Sequence, residues 1–262
     1  MRRAVGGAKD WDAHVEHMEQ LAGSPAFLAL RDRIIENARL RSEDRVLDIG
    51  AGTGLLTLAA APKVRNVIAV DISRAMCTRL RRNVDCEAID NVDVLTDTAT
   101  ALPVADGSVD TVISNYCLHH LGDDAKRRAL AEIARVLRPG GRLVFADTMF
   151  SLDLSDRRNR AVIAMLLRRV LRHGPAGIWR LAKNAVRVAT GRWEHPATVE
   201  WWCKELHLAG FTAVSVQALE HEGGIACARA PLHPPGMVEQ PPPSAPGDPI
   251  VRPRVLVGRG HR

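Results

Sequence analysis

The nine residues 46–54, Val-Leu-Asp-Ile-Gly-Ala-Gly-Thr-Gly, constrain this chain more than any other stretch. A short apolar run carries an aspartate near its end, three glycines then alternate with small residues, and Leu55-Leu56-Thr57-Leu58-Ala59 continues with helical character. That pattern is a buried strand, a turn whose backbone comes very close to a ligand, and a helix. A Gly-x-Gly-x-x-Gly dinucleotide fingerprint needs glycine at position 55, where the chain has Leu55. The spacing Gly50-x-Gly52-x-Gly54 suits a ligand without a pyrophosphate.

From Arg45 onward strand and helix patterns alternate. Strands are expected at 45–49, 66–70, 92–95, 109–114 and 142–147, with helices at 53–61, 74–83 and 123–137. Alternation of this kind predicts a parallel sheet with helices on both faces. Arg138-Pro139-Gly140-Gly141 reads as the turn that ends one helix and feeds the next strand. Further on, a helix from Thr198 ends at Gly210, 212–219 alternates like a strand, and Gly223-Gly224 reads as a hairpin turn into 225–230. Before the core, 12–21 predicts a short helix. Ser24-Pro25 opens a second as capping serine and first-turn proline, with Phe27, Leu30, Ile34, Ile35 and Ala38 on one apolar face that packs on the sheet or covers the ligand.

The strand after the glycine turn ends in Asp71, 21 residues past Gly50. An ionised carboxylate is a pure acceptor with two oxygens, able to hold both hydroxyls of a ribose at a strand tip. Capping the helix that starts near Ser73 is the competing role, and the ribose role is favoured beside the glycine turn. Ile72 and Met76 follow Asp71, and Met76 suits the core as well as a ligand. The fourth strand ends in Ser114-Asn115-Tyr116-Cys117-Leu118-His119-His120-Leu121, which faces the same crevice beyond the carboxyl ends of the strands.

The glycine turn resembles motif I of the class I S-adenosylmethionine-dependent methyltransferases, and specifically their small-molecule, methyltransferase type 11-like group. The resemblance covers 24–150 well and 196–230 more loosely. It implies a Rossmann-like, mostly parallel seven-stranded sheet with an antiparallel C-terminal hairpin, helices on both faces and a helical lid insert. It also implies S-adenosylmethionine as cofactor, with Asp48, Gly50, Ala51, Gly52 and Gly54 cradling its methionine end. Asp71, Ile72 and Met76 would then lie at the ribose and adenine, and Ser114 and Asn115 at the open crevice. In the family segment resembling 96–103, an aspartate four residues before Leu-Pro binds the adenine amino group. Here that position is Thr98, and Asp97 lies one residue earlier, so Asp97 is taken as the contact and Thr98 as its weaker substitute. His119 or His120 is either a general base or, as preferred, a locally bonded histidine that shapes the pocket. The segment is neither the Asn/Asp-Pro-Pro-Tyr/Phe of amino-directed nucleic-acid enzymes nor a Pro-Cys nucleophile.

Composition narrows the rest. The five cysteines lack Cys-x-x-Cys spacing, which indicates neither a zinc site nor a disulfide framework and fits thiols in a reducing cytoplasm. No stretch reaches the roughly 20 apolar residues of a membrane span, and the N-terminus has no signal core. The net charge of +6 sits in 151–195, where ten Lys or Arg face three acids. This insert reads as two basic amphipathic helices, the first with Val162, Ile163, Leu166, Val170 and Leu171 as its apolar stripe. Residues 231–262 hold nine of the fifteen prolines and read as a disordered tail. The expected organisation is therefore a tail and short helix at 1–23, a cofactor core at 24–150, a lid at 151–195, the rest of the core at 196–230 and the tail at 231–262. The expected activity is methyl transfer to a small molecule, including an apolar or lipid-like one. The lid closes over that molecule, lies on a membrane surface, or binds RNA phosphates. RNA methylation is disfavoured by the few aromatics, and a non-catalytic cofactor-binding protein is the alternative from another class.

Overall fold

The computed structural model describes residues 11–151, 155–171, 195–219 and 222–232. Seven strands form one sheet: β1 (Arg45–Ile49), β2 (Asn66–Asp71), β3 (Val92–Thr96), β4 (Val109–Asn115), β5 (Leu137–Thr148), β6 (Thr212–Ala218) and β7 (Gly223–Arg229). Their order is β3-β2-β1-β4-β5-β7-β6. The first five pair in parallel, while β7 runs antiparallel to both β5 and β6. The helices are α1 (Val15–Ala22), α2 (Pro25–Ala38), α3 (Leu55–Ala60), α4 (Arg74–Cys86), α5 (Asp123–Val136), α6 (Arg157–Leu171) and α7 (Val199–Leu208). Among the described residues no helix is long and apolar enough to cross a membrane.

The period-2 alternation of the strands sorts their side chains into two layers. On one face, Val46, Val67, Ile113 and Val144 pack with Leu30 and Ile34 of α2 and Leu56 and Ala60 of α3. On the other, Leu47, Ile49, Val112 and Phe145 pack with Leu130 and Ile133 of α5 and Trp202 and Leu206 of α7. Strands covered on both sides read as near-continuous apolar runs, which is why 46–49 carries only one polar residue. The chain passes from β1 to β2 on one side, and β4 lies on the other. Their connections therefore diverge at the carboxyl ends of β1 and β4 and leave a crevice there.

Three local expectations need correction. Arg138–Gly141 is no simple turn before a strand: β5 already begins at Leu137, directly after α5, and pairs there with Val109. The next registered pair is Thr111 with Arg142, so 138–141 bulge out of the ladder, with Gly140 at φ +71°. Gly223-Gly224 is not the hairpin turn but the first two residues of β7, opposite Thr148 and Asp147. Gly224 lacks a side chain because Met149 Sδ would lie 2.3 Å from its Cβ. Ser24 does precede α2 with Pro25 in the first turn, yet its side chain makes no capping bond; its carbonyl accepts the Leu28 N–H at 3.0 Å instead. The second basic helix expected in the insert and the tail from 233 lie outside the described residues.

Candidate functional site

The glycine turn is pinned to the end of β2. The N–H groups of Gly50 and Ala51 both donate to the Val70 carbonyl, at 2.8 and 3.1 Å, and the Gly52 N–H donates to Asp71 Oδ2 at 2.8 Å. All three glycines have positive φ, +69°, +56° and +108°. Their reasons differ. A Cβ on Gly50 would meet the Cys117 Sγ at 2.3 Å, and one on Gly54 would meet Leu80 at 2.5 Å, whereas one on Gly52 would meet nothing within 4 Å. Gly50 and Gly54 are glycine because protein fills the space; Gly52 faces open space.

Asp48 lies in β1 just before this turn. It is 1% exposed and accepts the Thr57 hydroxyl at 2.6 Å, which ties α3 to β1. Burial pushes its carboxyl up to about 7, against the pull of the Thr57 bond. Asp71 stands at the tip of β2 with both oxygens engaged, Oδ2 by Gly52 N–H and Oδ1 by Ser73 N–H at 2.8 Å. Burial raises its carboxyl as well, and those two N–H bonds oppose the rise. Asp71 thus shapes the cradle and precedes the α4 cap, Ser73, whose hydroxyl accepts the Met76 N–H. Each oxygen retains a second lone pair. Ile72 is 63% exposed beside it, and Met76 is buried.

The next segment is looser. Asp97 is exposed at the end of β3, its N–H bonded to the Asp71 carbonyl and its Oδ1 accepting the Thr98 N–H. The Thr98 hydroxyl is paired with that of Thr100 at 3.1 Å. Asp97 is thus the freer acceptor of the two. Ser114 is withdrawn from the crevice: it is buried and donates to the Ile49 carbonyl at 2.7 Å, bridging β1 and β4. Asn115 keeps its place, because its Oδ1 is buried without a hydrogen-bond partner and its side chain lines a cavity of about 40 Å³ with Asp48 and residues 50–53.

The N-terminal elements line that cavity as well, through Met18 and Ala22 of α1 and Phe27 of α2. Their hold on the core was not legible in the sequence. Asp12 accepts from the Ser73 hydroxyl and from the Ala75 N–H, Glu19 bonds Arg79 and Asn83 of α4, and Trp11 stacks edge-on against His120 at 4.5 Å. A space of 40 Å³ holds a few waters at most.

The sequence reading also missed Asp147. It ends β5, is 1% exposed, and receives His119 twice, through the ring Nδ1 on Oδ1 and the backbone N–H on Oδ2 at 3.0 Å. An acid at the carboxyl end of a parallel strand was the available signal. Tyr116, at φ +50°, stacks on Phe27 at 5.5 Å and turns its ring edge-on to His119 at 6.0 Å. Burial, with Glu222 and Asp147 nearby, raises the Tyr116 hydroxyl, and burial likewise raises the Cys117 thiol. Among the described residues no cluster of His, Cys, Asp and Glu has metal-ligand geometry.

The family model described as a methyltransferase domain matches residues 46–141. The uncharacterized methyltransferase YcgJ of Bacillus subtilis is 39% identical over 114 residues, 44% of this chain and 44% of that protein. The chain spans about half the length of the curated relatives it matches. In shape, it is similar to the crystal structure of a SAM-dependent methyltransferase from Aquifex aeolicus, with TM-score 0.58 and 19% identity over 82% of this chain and 97% of that one. It is also similar to the [4+2]-cyclase SpnF, with TM-score 0.62 and 18% identity over 85% and 94%. The strand order and the glycine turn agree with the methyltransferase-domain match over residues 46–141, and the chain shares the fold of these solved structures.

Proposed function

We propose that the protein transfers a methyl group from S-adenosylmethionine to a small-molecule acceptor. One observation carries the reading: Gly52, at φ +56° with open space where a Cβ would stand, is held by Asp71 from the neighbouring strand tip at the sheet's switch point. The residues fit the cofactor. The turn 50–54 would take its methionine end, with the unsatisfied Asn115 Oδ1 available to an ammonium group. Asp71 would take the ribose through its remaining lone pairs, and exposed Ile72 and Asp97 the adenine. When bound, the sulfonium supplies an activated methyl group whose leaving group is a neutral thioether. The protein's share is then alignment of the acceptor and exclusion of water. Met18, Ala22 and Phe27 would close the site once the cofactor is in, and the insert that begins at α6 would select the acceptor.

SpnF favours a second reading, because it shows this fold around a cyclase rather than a methyltransferase. Calorimetry with S-adenosylmethionine and S-adenosylhomocysteine, followed by a labelled-methyl screen of cell extract, separates the two. Binding of neither compound defeats both readings. Binding without label transfer to any acceptor supports the non-transferring alternative.

A further inference from the structure

We infer that the outer face of α6 lies on an anionic bilayer surface, and that the acceptor is an apolar or lipid-like molecule collected there; the second half rests on the methyltransferase reading. The inner face of α6 fixes where the helix stands. Arg158 Nη1 donates to the Met149 carbonyl at 2.6 Å and its Nη2 to the Gly223 carbonyl at 3.0 Å. The Ser151 N–H donates to Asn159 Oδ1 at 3.2 Å, and Asn159 Nδ2 donates to the Ser151 hydroxyl at 2.8 Å. Asn159 and Val162 are buried. These contacts seat the start of the helix on the chain that leaves β5, at the carboxyl end of the parallel strands where the crevice opens.

The outer face is composed differently. Arg157, Ala161, Met165 and Arg168 recur at helical spacing and are all exposed, so they form one stripe about 16 Å long, with exposed Arg160 and Leu167 beside it. The helix carries five arginines and no Asp or Glu. A helix face that is merely solvated gains by mixing both signs at i,i+4 spacing, and this one forgoes every such pair. Among the described residues, Arg157 and Arg168 have neither a hydrogen-bond nor an ion-pair partner. Between them in the stripe stands Met165, 37% exposed, and Leu167 beside it is 39% exposed. These are two of the five large apolar side chains left exposed among the described residues, and they share one helix with the unpaired arginines.

Charge and apolarity together select the occupant. Anionic headgroups complement a face whose charges are all positive, at about fivefold in partition for each Arg at the surface. The long arginine stems let the guanidinium groups stay among the phosphates while Met165 and Leu167 enter the acyl boundary. RNA would use the charge but not the two apolar chains, and α6 has no Phe, Trp or Tyr on which a base could stack. The surrounding insert has the same sign, with ten Lys or Arg against three acids over 151–195. Because α6 starts at the crevice end of the sheet, docking by this face turns that end toward the bilayer, and a lipid-like acceptor need not cross water to reach it.

The test sediments the full-length protein with vesicles of phosphatidylcholine alone and of an equal mixture with phosphatidylglycerol. Beside it run the paired variants Arg157→Gln with Arg168→Gln and Met165→Ser with Leu167→Ser, whose unchanged melting temperatures show that they are folded. The parent should bind the mixed vesicles and leave the neutral ones. The glutamine pair should lose about 20-fold in partition and the serine pair about tenfold. Added salt should erase the first difference and keep the second. Amide exchange over 157–168 should slow on the mixed vesicles. Equal binding to both vesicles, parent-like binding by either pair, or unchanged exchange over 157–168 would overturn the docking. So would a single-stranded RNA that displaces the parent from the vesicles and loses its hold in the glutamine pair, which would assign the face to nucleic acid. For the acceptor, the labelled methyl should enter chloroform-extractable membrane material, and less of it in both pairs; label confined to water-soluble compounds would overturn that half. Absence of S-adenosylhomocysteine binding would overturn the methyltransferase reading, and the acceptor half with it, while the vesicle result would stand.

Discussion

Alanine at Gly50 and alanine at Gly52 should have opposite consequences, although the two glycines stand two residues apart with similar backbone angles. Both variants place a Cβ at positive φ, +69° and +56°, which costs about 1–2 kcal/mol in either case. At Gly50 the new atom also overlaps Cys117, lying 2.3 Å from Sγ and 2.5 Å from Cβ. A rotamer change can remove the sulfur but not the Cβ, so the strand end itself must shift, adding about 1–3 kcal/mol of overpacking. Gly50→Ala should therefore destabilise by about 2–5 kcal/mol in urea unfolding. At Gly52 nothing lies within 4 Å, and the stability cost should stop at the backbone penalty. There the loss should appear in binding: a methyl in the ligand's space should weaken S-adenosylhomocysteine by at least about tenfold, roughly 1.4 kcal/mol.

A double-mutant cycle sharpens the comparison. Cys117→Gly should recover the overlap part of the Gly50→Ala loss, with a coupling of about 1–3 kcal/mol, and Cys117→Ala should recover less because its Cβ remains. Equal destabilisation by the two alanines, no coupling with position 117, or an unchanged affinity in Gly52→Ala would refute the division of the turn into a packed glycine and a ligand-facing one.

Other expectations concern the carboxylates and the one fully buried lysine among the described residues. The Asp48 carboxyl rises from its ordinary 3.8 to about 7, so the folded protein holds this proton more tightly than the unfolded chain. Its contribution to stability should fall as pH climbs from about 4 to about 7, by about 4 kcal/mol in all. Asp48→Asn should flatten that slope in pH-dependent urea titrations and be the more stable protein above pH 7. Asp71→Ala removes the acceptor of two loop N–H groups and of the expected ribose, and should weaken S-adenosylhomocysteine by about 2–5 kcal/mol in calorimetry. Lys126→Met keeps an apolar stem under Trp201 but strands the His195 carbonyl. It should lower stability by about 1–3 kcal/mol while leaving cofactor affinity unchanged, as urea unfolding and calorimetry would show.

What the sequence disclosed, and what it hid, follows from how each half of the crevice is assembled. The cofactor half is built from consecutive β–turn–α units, so strand, turn and helix start lie within a few residues of each other. Asp48, Gly50 and Gly52 form one run, and Asp71 stands one strand later. Even there the sequence could assign residue types but not what each side chain is already bonded to. Ser114 is spent on Ile49, and Asp48 on Thr57, through contacts 65 and 9 residues apart. The other half has no such locality. Trp11, Phe27, the 116–119 segment, Asp147 and His195 come from five places in the chain and meet because β4 and β5 are neighbours, because α1 folds back over α4, and because Lys126 draws 195 onto the end of β4. Asp147 shows the difficulty most plainly. In the sequence it is one more acid after an apolar strand, and its meaning depends on a histidine 28 residues earlier arriving within bonding distance. The glycine cradle is thus written locally, and the cluster around His119 is written in tertiary contacts. Variants at Trp11, Phe27 and Tyr116, with the glycine turn left intact, should therefore be carried through the labelled-methyl screen, where an unchanged set of labelled acceptors would show that this cluster takes no part in choosing them.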